Sequence, residues 1–132
     1  MVNPSNPLNV RHVSGQIWYG ETGVKNGFCV FSMRECGIRA ACVIIARSYP
    51  RRGITSVEDI ISTWAPPKEN PTDAYISYVC ARTGFKPGWE IASVEDVARL
   101  VSAMAFFESR ASIGADEVKV VMQKFNIQPW RG

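Results

Sequence analysis

Glu108 is the carboxylate in this sequence best placed for acid chemistry. It follows Phe106-Phe107 at the end of the most hydrophobic helical pattern and precedes small and polar residues. A carboxyl half desolvated against two phenyl rings is disfavoured as an ion, so its pKa rises. A carboxylic acid that stays protonated near neutrality is what a general acid requires. The same position also suits a plain helix end, with Glu108 paired to Arg110 or facing water. Glu21, just after Trp18-Tyr19-Gly20, is a second acid and is expected to be solvated. Glu69 is a third, able to act in catalysis, to bind a substrate, or to favour a helix start through the helix dipole.

Glu69 lies in the densest chemical stretch of the chain, Trp64-Ala65-Pro66-Pro67-Lys68-Glu69-Asn70-Pro71-Thr72-Asp73-Ala74-Tyr75. Three prolines, an indole, a carboxylate, an amide, a hydroxyl and a phenol fall between two helical patterns, and loops that carry such groups are often sites. An architectural reading uses the same residues: Trp64 ends one helix, the prolines stop it, Asn70 caps the next and Pro71 takes its first position. Under the functional reading, Tyr75 or Thr72 holds the glutamate or a substrate group.

Other chemistries are narrowed by composition. Cys29, Cys36, Cys42 and Cys80 form no CxxC pair, and His12 is the only histidine. The cysteines therefore read as small buried hydrophobes, with no metal and no cofactor expected. A Ser-His or Cys-His machine would have to recruit His12 from a polar leader, where a base lacks fixed geometry. The net charge of +3 is a mild bias towards anionic polymers. Arg47, Arg51 and Arg52 read as a solvated helix end, so nucleic acid is not the expected partner. No apolar run is long enough to cross a bilayer, and the start has no hydrophobic signal core, so the expectation is a chain made in the cytoplasm without a membrane span.

The elements that must position these groups are mainly helical. Residues 1–16 read as a loop-rich leader and residues 17–31 as a small β element. Its expected strands are Ile17-Trp18-Tyr19 and Phe28-Cys29-Val30-Phe31, joined by a glycine-rich turn. Residues 33–125 read as a helical core. Ser32 with Glu35 predicts a capping box for a helix over 33–49, in which Ile38, Cys42, Ile45 and Tyr49 recur at helical spacing and which Pro50-Arg51-Arg52-Gly53 breaks. Thr55 with Glu58 predicts a second box and a short helix over 57–64. A third helix begins after Asn70-Pro71 and closes at Gly84. Ser93 and Asp96 open the helix of Val94, Val97, Leu100, Val101, Met104 and Phe107, the expected centre of the core. A last helix covers about 116–125. No repeat or linker appears, so residues 1–132 read as one compact α+β domain of about five helices with a β-hairpin near the N-terminus.

Asn6-Pro7-Leu8-Asn9-Val10-Arg11, Trp18-Tyr19-Gly20, Gly27-Phe28 through Phe31, Gly37-Ile38-Arg39-Ala40 and Trp64-Ala65-Pro66-Pro67 through Tyr75 occur in the order of a pattern close to NNPGN-I/L-R, WxG, GFxxF, GIRA and WAPPxENxTxxY. On these motifs, which cover nearly the whole chain, the sequence resembles a family of short phage and prophage proteins commonly labelled virion structural proteins. The segment order is also similar to that of the region after the catalytic glutamate in flagellar-type peptidoglycan glucosaminidases. In those enzymes the glutamate helix precedes the β region, whereas Phe107-Glu108-Ser109 comes near the C-terminus here. The resemblance thus implies a lysozyme-like fold in circularly permuted order. It implies cleavage of the β-1,4 bond of peptidoglycan glycan strands, with Glu108 as general acid. Glu69, Asn70, Thr72, Tyr75, Trp18, Glu21 and Arg11 are the implied substrate-binding residues, and the protein is expected in the virion or released to the periplasm and wall. The competing class is a virion component of similar fold that assembles with other virion proteins or binds the wall without catalysis.

Overall fold

In a computed structural model, residues 3–131 are described, so the first two residues of the expected leader and Gly132 lie outside the description. The chain is a compact α+β structure with an antiparallel hairpin near its start. The hairpin comprises β1 (Glu21–Lys25) and β2 (Phe28–Phe31), with Lys25 opposite Phe28 and Val24 opposite Cys29. Asn26 and Gly27 both have positive φ, 53° and 83°. That is the requirement of a two-residue turn whose twist matches its flanking strands, and Asn-Gly meets it best.

The first expected strand is therefore corrected: Ile17-Trp18-Tyr19 lies outside the sheet, and the stretch assigned to the turn is β1. Turn chemistry, not apolar content, chose the strand. Val24, the one branched apolar residue of β1, is exposed.

The leader is ordered and adds a short edge to β2. Arg11 bridges Phe28, His12 N–H donates to Gly27 O (2.9 Å), and Cys29 N–H donates to Val10 O (3.0 Å). Asn6, fully buried, fixes this path. Its Nδ2 donates to Val10 O (2.9 Å) and Cys29 O (2.8 Å), and its Oδ1 accepts from Val10 N–H (2.8 Å). A buried amide satisfied on both ends is stabilising and unlike an orphaned one, which would cost about 1–3 kcal/mol. The leader crosses helix α1 (Arg34–Val43) so closely that a Cβ on Gly37 would collide with the Ser5 carbonyl.

Helix α1 continues through a π-helical turn, Ile44–Ser48, into α2 (Tyr49–Arg51). The expected break over Pro50-Arg51-Arg52-Gly53 is in place, since the helix ends at Arg51 with Arg52 as C-cap and Gly53 at φ 76°, and the π turn lies ahead of it. Pro50 has no N–H to give to the carbonyl four residues back. That carbonyl, Ala46 O, instead accepts from Trp130 N–H at 2.8 Å, so the C-terminal segment repairs the fault.

Three expected caps also shift. Helix α1 has Met33 as N-cap with no side-chain cap, while Ser32 lies beside Cys36. Ser56, not Thr55, caps α3 (Val57–Trp64) by accepting from Asp59 N–H, and Thr55 donates to Glu90. Pro71 is the N-cap of α4 (Thr72–Thr83), and Asn70 turns back to donate to Pro66 O (3.0 Å). Gly84 closes α4 in the left-handed conformation at φ 82°. Ser93 and Asp96 form the expected reciprocal box at the start of α5 (Val94–Ser109).

Helix α5 is the centre of the core, packed against α1, α4 and α6 (Ala115–Lys124). Val97, Leu100, Val101 and Met104 are completely buried on it. Burying one such side chain is worth about 1.5–3 kcal/mol, which makes α5 a firm base for the residue at its last turn, Glu108.

Candidate functional site

Glu108 is carried to the surface end of α5, and the leader is stapled across it. Ser109 Oγ donates to Pro7 O (2.7 Å), while Asn9 Nδ2 donates to Glu108 Oε1 (2.9 Å) and approaches the Glu108 carbonyl (3.2 Å). Asn9 can do this because it holds φ 54°, a region Asn tolerates better than most residues. Trp64 Nε1 donates to Leu8 O (3.2 Å), so the indole ending α3 is tied to the same crossing.

Tyr75 comes from the first turn of α4 and stacks on Phe107, ring centroids 4.1 Å apart. Its hydroxyl is buried and lies against Glu108, near enough for that charge to act on it but without a well-formed hydrogen bond. Burial first, and then Glu108, push the Tyr75 phenol well above its usual range, so it remains a proton donor.

Glu108 itself is raised above the ordinary carboxylate value. Burial is the main cause, and the donors Asn9 and Tyr75, the Arg11 charge and Trp64 partly oppose it. The carboxyl is therefore easier to protonate than one in water while still being aimed by neutral donors. That combination suits proton donation to a leaving oxygen.

Asn9 and Trp64 also line a groove of about 330 Å³, whose other walls include Arg11, Trp18, Tyr49 and Arg52. Its aromatic faces offer stacking and its two guanidinium groups offer anion contacts. Burial raises the Tyr49 phenol to about 12, with Arg52 opposing. Glu69 stands at the rim, 3.9 Å from Arg11, both side chains well exposed. A larger depression of about 500 Å³ lies on the far side of the leader against Arg34 and Arg110. Neither depression is lined by an acid, but Arg34 in the larger one is held by Glu117 at 2.6–3.0 Å, whereas the smaller groove adjoins Glu108 through Asn9 and Trp64.

Arg11 and Trp18 thus line the groove with Glu69 at its rim, while Glu108 and Tyr75 lie behind Asn9 and Trp64 and are not among the groove's lining residues. Thr72 is buried and donates to Ala65 O (2.5 Å), and Asn70 is held by its bond to Pro66 O. Glu21 is not solvated, contrary to expectation. Its side chain is 4% exposed, with Oε2 3.0 Å from His12 Nδ1 and Oε1 accepting from Trp18 N–H (2.9 Å).

Sequence reasoning missed Asn9, Tyr49 and Arg52 as parts of this corner. For Asn9 a signal existed: an asparagine two residues after proline in a turn-rich leader is a natural left-handed position with a free amide. For Tyr49 the helical spacing marked only burial.

No family model matches the chain. It is similar to Protein P5 of Pseudoalteromonas phage PM2, with 34% identity over 120 residues that span 87% of this chain and 74% of that protein.

Proposed function

We propose that this chain, which belongs to the family of Protein P5 of Pseudoalteromonas phage PM2, is a phage protein that cleaves the β-1,4 glycosidic bond of peptidoglycan. The observation that carries the reading is the Glu108 carboxyl, raised in pKa by burial and aimed by Asn9 beside an aromatic, cationic groove.

In the proposed reaction a glycan strand lies in the groove with a sugar face on Trp18 or Trp64, an amphipathic contact that indoles make well. Arg11 and Arg52 meet the acidic groups of the wall polymer. Protonated Glu108 gives its proton to the glycosidic oxygen as the C1–O bond breaks and oxocarbenium character develops at C1. The resulting carboxylate then takes a proton from the attacking hydroxyl. That hydroxyl belongs to water in a hydrolase, or to the sugar itself in a lytic transglycosylase, which needs only one acid. Asn9 holds Glu108 in place, and the Tyr75 hydroxyl lies beside it. Release to the periplasm or carriage in a virion belongs to the same proposal.

A second reading has its own observation. The hydrogen bonds Asn9–Glu108 and Ser109–Pro7 tie leader to helix, which a non-catalytic virion component or wall-binding protein could use as plain architecture.

Turbidity of purified peptidoglycan separates the two. Clearing by the native protein and none by Glu108→Gln supports the enzyme, since the amide oxygen can still accept from Asn9 and preserve the fold. Clearing that survives the substitution overturns the role of Glu108, and no clearing by either protein favours the architectural reading. Mass spectrometry of released muropeptides then distinguishes anhydro from reducing ends.

A further inference from the structure

The leader and both strands converge on a second cluster that does not include Glu108. His12 comes from the leader edge that bridges β2, Glu21 begins β1, and Cys29 lies on β2. One imidazole nitrogen, one carboxylate oxygen and the thiol sulfur all lie within 4.8 Å of one another. Neither Cys29 nor the Glu21 carboxylate is a surface group: Cys29 is fully buried and the Glu21 side chain is 4% exposed. His12 is 30% exposed and forms the outer side of the cluster.

We propose that His12, Glu21 and Cys29 form a binding site for Zn²⁺ or a similar divalent transition metal, with solvent as the fourth ligand on the His12 side. Nitrogen, oxygen and sulfur donors together favour zinc over calcium or magnesium, which prefer oxygen alone. Zinc sits about 2.0–2.3 Å from such atoms, which places ligand atoms about 3.5 Å apart around one tetrahedral ion. His12 Nδ1 and Glu21 Oε2, at 3.0 Å, are already near that separation, so closure asks mainly for movement of the Cys29 sulfur.

The backbone around all three residues is fixed in advance. His12 N–H is bonded to Gly27 O, Cys29 N–H to Val10 O, and Glu21 N–H to Trp18 O (3.0 Å). The Glu21 Oε1 bond from Trp18 N–H supplies the outer contact that orients metal-bound carboxylates. Burial and the Glu21 charge push the Cys29 thiol up to about 11. Metal binding displaces the thiol proton to solvent as the sulfur takes up the ion, with His12 Nδ1 as the nitrogen donor. A bound ion would clip the leader to the hairpin three residues beyond Asn9. The site itself does not depend on the glycan-cleaving reading.

The test is titration of the full chain with Zn²⁺ and with Co²⁺ in a non-thiol reductant, for native protein, Cys29→Ser and His12→Gln. Expected are one equivalent of metal, a near-ultraviolet sulfur-to-cobalt absorption that Cys29→Ser abolishes, and a Zn²⁺-dependent rise in Tm. His12→Gln, at a partly exposed position where folding is retained, weakens binding by more than about tenfold, the scale already set by loss of outer-shell partners. Binding that is undetectable in the native protein, or equal in all three proteins, overturns the site and leaves the cluster as a hydrogen-bonded link between leader and hairpin.

Discussion

Two carboxylates, Glu108 and Glu21, are both gripped by the leader, yet their surroundings differ in kind. Glu108 lies at the end of the central helix and is touched by neutral donors, the Asn9 amide foremost, with Arg11 acting from the rim. Glu21 lies inside the hairpin with an imidazole on one oxygen, a backbone N–H on the other and a buried thiol beside it. Burial alone does not tell the two apart. The partners do: neutral donors beside a groove leave an acid free to exchange a proton, whereas imidazole, carboxylate and thiol together make a set of ligands.

The contrast is broken most decisively by exchanging each acid for its amide. Glu108→Gln is expected to lower glycan cleavage by about 10²-fold or more, the usual worth of a positioned general acid, as measured by release of soluble muropeptides. Glu21→Gln is expected to leave cleavage within a few-fold while removing the metal-dependent gain in Tm.

Next in size is a pH effect with a defined sign. Glu108 has a folded-state pKa above its usual value of 4.5, so the native state binds this proton more tightly than the unfolded chain. Its contribution to stability is complete below pH 4.5 and is lost as pH rises through the folded pKa. Glu108→Gln is therefore expected to match or exceed the native Tm at pH 7 relative to the comparison at pH 4, read by thermal melts at both pH values. Cleavage by the native protein should fall along the same alkaline limb, because only the protonated form can donate.

Asn9→Ala should weaken the corner less drastically, by about 1 kcal/mol, the typical net worth of one hydrogen bond. Without that donor the Glu108 pKa moves further up, so the alkaline limb of cleavage should shift to higher pH. His12→Gln in the other corner should leave that limb in place. The smallest effect is expected of Tyr75→Phe. It removes a buried hydroxyl that lacks a well-formed bond, so denaturant melts should change by less than about 1 kcal/mol, while the alkaline limb again moves up.

How much of the fold is legible in the sequence depends on the reach of each interaction. The periodicity of Val97, Leu100, Val101 and Met104 and the Ser93–Asp96 box act within one helix, and both appear in place. Gly84 obeys the same logic. The caps of α1 and α3 slipped by a residue because Ser32, Met33, Thr55 and Ser56 offer competing starts that only packing decides. The first strand was hidden because its side chains are mostly exposed and its position is set by Asn26-Gly27.

The site rests on contacts of longer reach. Glu108 is desolvated, but its neighbours Phe106 and Phe107 turn to stack on Tyr78 and Tyr75, so the burial comes from the tertiary corner and not from rings adjoining it in the chain. Asn9 reaches it across 99 residues of sequence, and no local pattern carries that. The inward turn of Glu21 likewise depends on His12 and Cys29 arriving from separate segments, which a leader read as polar loop gave no reason to expect.

The most direct test of Glu108 as a buried acid is a carbon-13 NMR titration of its side-chain carboxyl in the native protein, assigned by its absence in Glu108→Gln. A midpoint above the usual 4.5, moving further up in Asn9→Ala, is the expected result. A midpoint at or below 4.5, unmoved when Asn9 is replaced, would contradict the assignment of Glu108 as an acid held ready by its surroundings.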